Sequence, residues 1–243
     1  MPIYEEPVIK PVSGYIVYVE LCKGIELECN RKVHTLYYGI KKLIDEDSVR
    51  GIKELVPAYS SLTIFYDPRE ISWIKIKEII NGMFKELERE SIAEVFKPRL
   101  FRIPVVYGGE FGPDLEESAK LAGLTIDEFI DIHTSRRYVC YMLGFTPGFI
   151  YLGTVDKRIA VPRLKTPRTR IPAGSVGIAG EQTGLYGVES PGGWRLIGRT
   201  PVRTFDPMKK PPTPIRPGDY VEFYRIDVKD YERLRGVWIE EIQ

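Results

Sequence analysis

Apolar residues recur along the first hundred positions with two different periods. Gly14 to Glu20 is a β-branched and aromatic run of strand character. From Leu27 onward Val33, Leu36, Tyr37, Ile40 and Leu43 fall at the spacing of a helix with one buried face. Ile52 to Val56 and Leu62 to Tyr66 read as two more strands, joined through Pro57-Ala58-Tyr59-Ser60-Ser61. Ser72 is placed to cap a second helix whose stripe is Ile76, Ile79, Ile80, Met83, Phe84 and Leu87. If Leu100 to Val106 closes the set, the order is β-α-β-β-α-β, the split arrangement of a ferredoxin-like domain. The same run is equally placed to open a second domain, so the expected division is a small α+β domain over 1–97 and another over 98–243.

Beyond that boundary the pattern predicts two short helices, Asp114 to Leu121 and one opened by a capping box in which Thr125 and Glu128 precede Phe129, Ile130 and Ile132. The style then changes, because 12 of the 22 glycines and 11 of the 19 prolines lie between Gly144 and Gly218. Helices are not threaded through such punctuation. Short apolar pieces survive between the breaks: Tyr138 to Phe145, Ser175 to Ala179, Leu185 to Glu189, Trp194 to Gly198 and Tyr220 to Arg225. Short strands at turn-rich spacing predict a closed or nearly closed β-barrel with functional loops.

Composition narrows the function classes. Thirty-five Lys plus Arg against 34 Asp plus Glu leave a formal charge of +1, so no global field directs the chain to nucleic acid or an anionic membrane. The acidic, proline-containing start Met1-Pro2-Ile3-Tyr4-Glu5-Glu6 is unlike a signal peptide, and no apolar run approaches a membrane span. Cys22, Cys29 and Cys140 contain no Cys-x-x-Cys, and only His34 and His133 are available to join them around a metal. The expectation is therefore three reduced, mostly buried thiols, no metal and a cytoplasmic protein.

The candidate chemistry lies in the glycine-rich half. Gly144-Phe145-Thr146-Pro147-Gly148-Phe149-Ile150-Tyr151-Leu152-Gly153 alternates flexible residues with large aromatics, which suits either a pocket wall or a packed barrel end. Ile178 to Gly184 and Glu189 to Trp194 place polar side chains between glycines, as anion cradles or tight turns do, yet neither has the Gly-x-x-x-x-Gly-Lys-Ser/Thr phosphate pattern. Arg158, Arg163, Lys165 and Arg168 form a basic, proline-held stretch. His133, near a helix end and two residues before Ser135, is a general-base candidate or a helix-terminal structural histidine. Glu181 and Glu189 are the acids inside the glycine-rich segments and so the paired acid–base candidates.

These same loops carry a resemblance. Gly144-Phe145-Thr146-Pro147-Gly148-Phe149, Tyr151-Leu152-Gly153, Pro162-Arg163, Thr166-Pro167-Arg168, Ile171 to Gly180, Gln182-Thr183-Gly184 and Glu189-Ser190-Pro191-Gly192-Gly193-Trp194 through Pro201 resemble the family of 5-oxoprolinase B subunits. That family includes allophanate hydrolase subunit 1 and the kinase inhibitor KipI. Asn30-Arg31, Val33-His34, Val56-Pro57-Ala58-Tyr59 and Tyr66-Asp67-Pro68 extend the likeness through the first half, while Gly187 stands where the family pattern has proline. The resemblance implies a cyclophilin-like barrel, and work with the C and A subunits of 5-oxoprolinase to open 5-oxoproline to glutamate with ATP held by the complex rather than by this chain alone. An ATP-derived phosphoryl group on the amide oxygen would turn a poor electrophile into a good one. On this reading Pro147, Gly148 and Phe149 form an apolar wall, and Gln182 and Thr183 meet the substrate. Glu189, Ser190 and Trp194 lie opposite, Arg163 or Arg168 neutralises an anion, and Glu189, Gln182 and His133 are the catalytic candidates. The likeness to KipI implies, as the alternative, a regulatory protein that binds a histidine kinase, and the allophanate relatives imply a urea-amide activity.

Overall fold

A computed structural model describes residues 3–87 and 96–243, with the side chains of Glu86 and Leu87 outside the described set, so the last position of the predicted second-helix stripe lies outside it too. The chain divides into two compact units, Met1–Lys97 and Pro98–Gln243.

In the first unit, β1 (Ile3–Ser13) and β2 (Ile16–Cys22) form a hairpin, α1 (Leu27–Asp45) follows, β3 (Ile52–Pro57) and β4 (Ser61–Tyr66) form a second hairpin, and α2 (Trp73–Leu87) comes last. The sheet order is β1-β2-β4-β3, every neighbouring pair antiparallel. Alternation along β2 and β4 sends Val17, Val19, Leu21, Leu62 and Ile64 to one face, where Val33, Leu36 and Ile40 of α1 and Ile76 and Ile80 of α2 complete the core. Ser72 does cap α2, its Oγ accepting from the Lys75 N–H at 3.2 Å.

Two expectations are corrected here. The ferredoxin-like chain order fails because the edge position beside β2 is filled from the N-terminal side by β1, while Leu100–Tyr107 (β5) is a barrel strand. β1 escaped notice because Pro7, Pro11 and paired glutamates interrupt its alternation; as an edge strand it tolerates them. The thiols are not all reduced: Cys22, at the end of β2, and Cys29, in the first turn of α1, form a disulfide with their Cα atoms 6.3 Å apart. The strand-to-helix reversal brings together two cysteines whose seven-residue separation resembles no short motif. Cys140 stays free and buried.

The second unit is the predicted barrel. After β5 come α3 (Leu115–Ala122) and α4 (Ile126–Thr134), then β6 (Arg137–Leu143), β7 (Ile150–Gly153), β8 (Arg168–Ile171), β9 (Ser175–Ala179), β10 (Gln182–Leu185), β11 (Ser190–Gly192), β12 (Arg195–Arg199), β13 (Tyr220–Arg225) and α5 (Val228–Leu234). Seven strands close in the order β10-β7-β6-β13-β5-β12-β9; β8 and β11 stand apart as a two-stranded strap. β13 and β5 run parallel, and the other barrel neighbours are antiparallel. Ile103, Val105, Cys140, Leu152, Ile178, Leu185 and Val221 point inward, and Leu115, Phe129, Ile130 and Ile132 of α3 and α4 pack into the same core. The Thr125–Glu128 capping box is present in full and starts α4. Leu185 to Glu189 is not a strand as expected; the strand lies earlier, over Gln182–Leu185, where pairing to both β7 and β9 overrides the polar, glycine-containing sequence.

Candidate functional site

The outer face of the barrel at β7, β9 and β10 carries the candidate site. Residues alternate across a strand, so adjacent residues of β10 face opposite ways. Thr183 points into the core, where its Oγ1 donates to the Gly177 carbonyl at 3.0 Å and meets His133 Nε2 at 3.0 Å. Gln182 and Gly184 therefore face away from the barrel core, where both are buried. A Cβ on Gly184 would sit 2.8 Å from the Phe149 ring and 2.9 Å from the Trp194 ring, so the absence of a side chain there admits the aromatic layer.

That layer is the product of the loops singled out from sequence. Phe149 lies edge-on to Tyr151, Tyr186 and Trp194 at centroid separations of 4.6, 4.7 and 5.3 Å, and Phe145 also meets it edge-on, at 5.8 Å. Ile171, Ala179 and Leu196 complete the cluster. Gly148 and Gly187 approach backbone to backbone, with a Cβ on Gly187 only 2.5 Å from the Gly148 carbonyl oxygen. Glycine at 187, the departure from the family pattern, thus lets the two loops touch. Pro147 is exposed at the rim, and Phe145, also exposed, holds a left-handed φ of 67°.

The strap fixes the polar residues. Arg168 of β8 forks onto Asp114, with bonds of 2.8 and 2.7 Å, and the same carboxylate accepts the Leu196 N–H at 2.7 Å. Asp114 is buried, and its carboxylate anchors the strap to β12. Sequence reading missed Asp114, which shows only as an acid before a short helix. Arg168 is corrected from an anion ligand to a structural clasp, because both terminal nitrogens are occupied. Pro162 and Leu164 are pinned in turn, the carbonyl of the first accepting from Arg195 Nε and the N–H of the second donating to the Gly193 carbonyl, both at 2.9 Å. Arg163 lies between those two bonds, exposed.

Other expected roles change with the geometry. His133 is fully buried: Nε2 donates to Thr183 Oγ1, whose own hydrogen is committed to Gly177, and Nδ1 accepts from the Tyr107 hydroxyl at 2.8 Å. Its ring stacks on Phe223 at 4.9 Å, and burial pulls its pKa down to about 3. It is a neutral tie between α4, β5 and β10, not a general base open to substrate. Thr183, its partner, is sealed with it. Glu181 occupies the β9–β10 turn at one end of β10; Glu189 follows the other end and pairs with Arg170 at 2.8 Å, so the two acids are not brought together. The Ile178–Gly184 segment is a tight hairpin rather than a cradle, with Gly180 at φ 59°. Ser190 Oγ is buried without a hydrogen bond, and the Tyr186 hydroxyl lies near the Trp194 backbone N–H without a well-formed one. Tyr186 joins the site although it was not singled out, and Tyr151, quoted within the aromatic loop, was given no role; the glycines at 184 and 187 near Tyr186 were the available signal.

Two of the glycine-rich segments, Ile178 to Gly184 and Glu189 to Trp194, do not form open anion cradles. Gly180 makes a turn, and the space beside Gly184 and Gly192 is filled by Phe149, Trp194 and Tyr186. Among the described residues no group of three or more His, Cys, Asp or Glu is placed to hold a metal, and no helix is long and apolar enough to cross a membrane.

The family model for the carboxyltransferase domain, subdomain C and D, matches residues 7–215. The chain belongs to this family. It is 49% identical over 216 residues to the 5-oxoprolinase B subunit of Bacillus subtilis (strain 168), covering 86% of this chain and 90% of that protein. It is 42% identical over 215 residues to the protein of the same name from Haemophilus influenzae, covering 88% and 96%. Among solved structures, TTHA0988 superposes with a TM-score of 0.74 at 35% identity over 87% of this chain. This chain spans only 40% of TTHA0988, so there the same fold is part of a longer polypeptide.

Proposed function

We propose that this protein is the B subunit of a multi-subunit 5-oxoprolinase, contributing one wall of a composite site in which 5-oxoproline is opened to glutamate at the expense of ATP. The observation that carries the reading is near-full-length identity of 49% to a protein of that name. The loops over the aromatic cluster support it, since Phe145, Pro147 and Tyr151 stay open above the buried Phe149, Tyr186 and Trp194 and give a small lactam an apolar surface beside polar groups. Pro147 and Gly148 shape the rim and Tyr151 the open part of the wall, with Phe149 and Trp194 buried behind them; Gln182 and Ser190, also buried, reach the lactam where the partner subunit completes the site. Glu189, on the segment entering the strap, is the proton-transfer candidate of this subunit. The nucleotide is held elsewhere in the complex, with the A and C subunits as partners, because the glycine segments here are closed turns and packed strands. The occurrence of the same fold within the longer TTHA0988 chain supports a site completed by a further part.

The test is 5-oxoproline-dependent ATP hydrolysis by this protein alone and with the candidate A and C subunits of the same source. Turnover confined to the full mixture supports the proposal. A mixture that co-elutes as a complex yet ignores 5-oxoproline would redirect it to another amide.

A further inference from the structure

Arginine is abundant in this protein and almost always committed. In the barrel unit Arg99 holds Asp219, Arg102 and Arg137 hold Glu222, Arg158 holds Asp156, Arg168 holds Asp114 and Arg170 holds Glu189. Arg195, Arg203, Arg216, Arg225, Arg233 and Arg235 each have a carboxylate partner, and Arg136 and Arg199 donate to backbone carbonyls. In the first unit Arg31, Arg50 and Arg69 are likewise paired. Among the described arginines Arg163 alone has neither a hydrogen bond nor an ion pair.

Its backbone, by contrast, is held on both sides. The Pro162 carbonyl is bonded to Arg195 Nε and the Leu164 N–H to the Gly193 carbonyl, next to Trp194. Arg195 is itself nearly buried and paired with Glu117. A guanidinium with no internal partner therefore rises from a fixed stretch of chain beside the Tyr151–Trp194 ring pair. Burial pushes the Tyr151 and Tyr186 phenols up, and the Arg163 charge pulls both partly back, which places that charge within electrostatic reach of the aromatic layer.

We infer that Arg163 is the carboxylate anchor of the site: its guanidinium fork grips the carboxylate of a small cyclic amino-acid lactam whose ring lies against the partly buried Tyr151, next to the edge of Trp194. The inference rests on the 5-oxoprolinase reading and adds to it the residue that separates a carboxylated lactam from a neutral one. Arginine suits this task because its planar fork meets both carboxylate oxygens, and because leaving a substrate without its charged partner forfeits a charge-assisted pair. The phosphates of ATP share the anionic chemistry, and the kinetics below tell the two apart.

The experiment is steady-state kinetics of the assembled complex with Arg163→Ala, Arg163→Lys and wild type, on 5-oxoproline and on 2-pyrrolidone, the same lactam without the carboxylate. For Arg163→Ala the KM for 5-oxoproline rises about 10- to 100-fold, the preference for 5-oxoproline over 2-pyrrolidone collapses by the same factor, and the KM for ATP stays put. Arg163→Lys restores part of the preference. Equal losses on both lactams, or an unchanged KM for 5-oxoproline, would overturn the assignment, and a raised KM for ATP would move Arg163 to a phosphate. Because Arg163 has no internal partner, thermal unfolding of the variants matches wild type. If the wild-type complex does not turn over 5-oxoproline, the functional reading falls separately. The anchor is then decided by titrating 5-oxoproline into this protein and following the Trp194 indole N–H by NMR. A shift abolished by Arg163→Ala supports it, and no shift refutes it.

Discussion

Replacing His133 with glutamine should change how stability depends on pH. In the folded protein His133 is fully buried and neutral, with burial holding its pKa at about 3; in the unfolded chain it returns to the ordinary value of about 6.5. Below pH 6.5 the unfolded state therefore binds a proton that the folded state refuses, and stability is lost as pH falls toward 3. A single site contributes a slope of about 1.4 kcal/mol per pH unit once the unfolded histidine is protonated. Integration from pH 7 to pH 5 gives a loss of about 2 kcal/mol. His133→Gln removes this term while keeping an amide able to donate toward Thr183. Losing the Tyr107 hydroxyl's acceptor costs about 1–3 kcal/mol at every pH, which leaves a domain of ordinary stability folded. The assay is urea denaturation of both proteins at pH 7, 6 and 5. The wild-type advantage should shrink by about 2 kcal/mol across that range, every other titrating group cancelling in the comparison. Parallel curves would refute the neutral, buried state of His133 and reopen its reading as an accessible base.

Two further predictions follow from contacts that sequence did not reveal. Arg168→Ala leaves the buried Asp114 carboxylate with the Leu196 N–H as its remaining partner and should destabilise the protein by about 2–4 kcal/mol in chemical denaturation, the third of Arg168 that is exposed moderating the loss. Arg168→Lys should recover only part, because the fork is lost; full recovery would show that charge alone matters. In thiol titration without reductant, the native protein should not react, since burial shields Cys140 and pushes its thiol up. The unfolded protein should give one thiol, and reduction should raise the count to three; three thiols before reduction would contradict the Cys22–Cys29 bond.

Much of the architecture was legible because it rests on local signals. The stripes of α1 and α2, the Ser72 cap, the Thr125–Glu128 box and the strands Ser175–Ala179 and Tyr220–Arg225 each depend on periodicity or a short-range hydrogen bond. What escaped was set by distant parts of the chain. Gln182–Leu185 becomes a strand only because β7 and β9 flank it, and β1 exists because the sheet offers an edge. The candidate site divides the same way. The aromatic loops form a packed barrel end, one of the two outcomes their composition allowed, since glycines there serve close packing. Gln182 and Thr183, adjacent in sequence, face opposite sides of β10, and Arg163 and Arg168, five residues apart, differ in whether an acid from α3's start reaches them. A residue string does not say which of two arginines already has its partner.

The most direct measurement of the central claim is the appearance of glutamate from 5-oxoproline in the reconstituted mixture, with each protein left out in turn. Glutamate formation with ATP that requires this chain, and is lost when it alone is omitted, is the predicted result. Glutamate formed at the same rate without this chain, or none formed by an intact complex, would contradict its place as a working subunit of a 5-oxoprolinase.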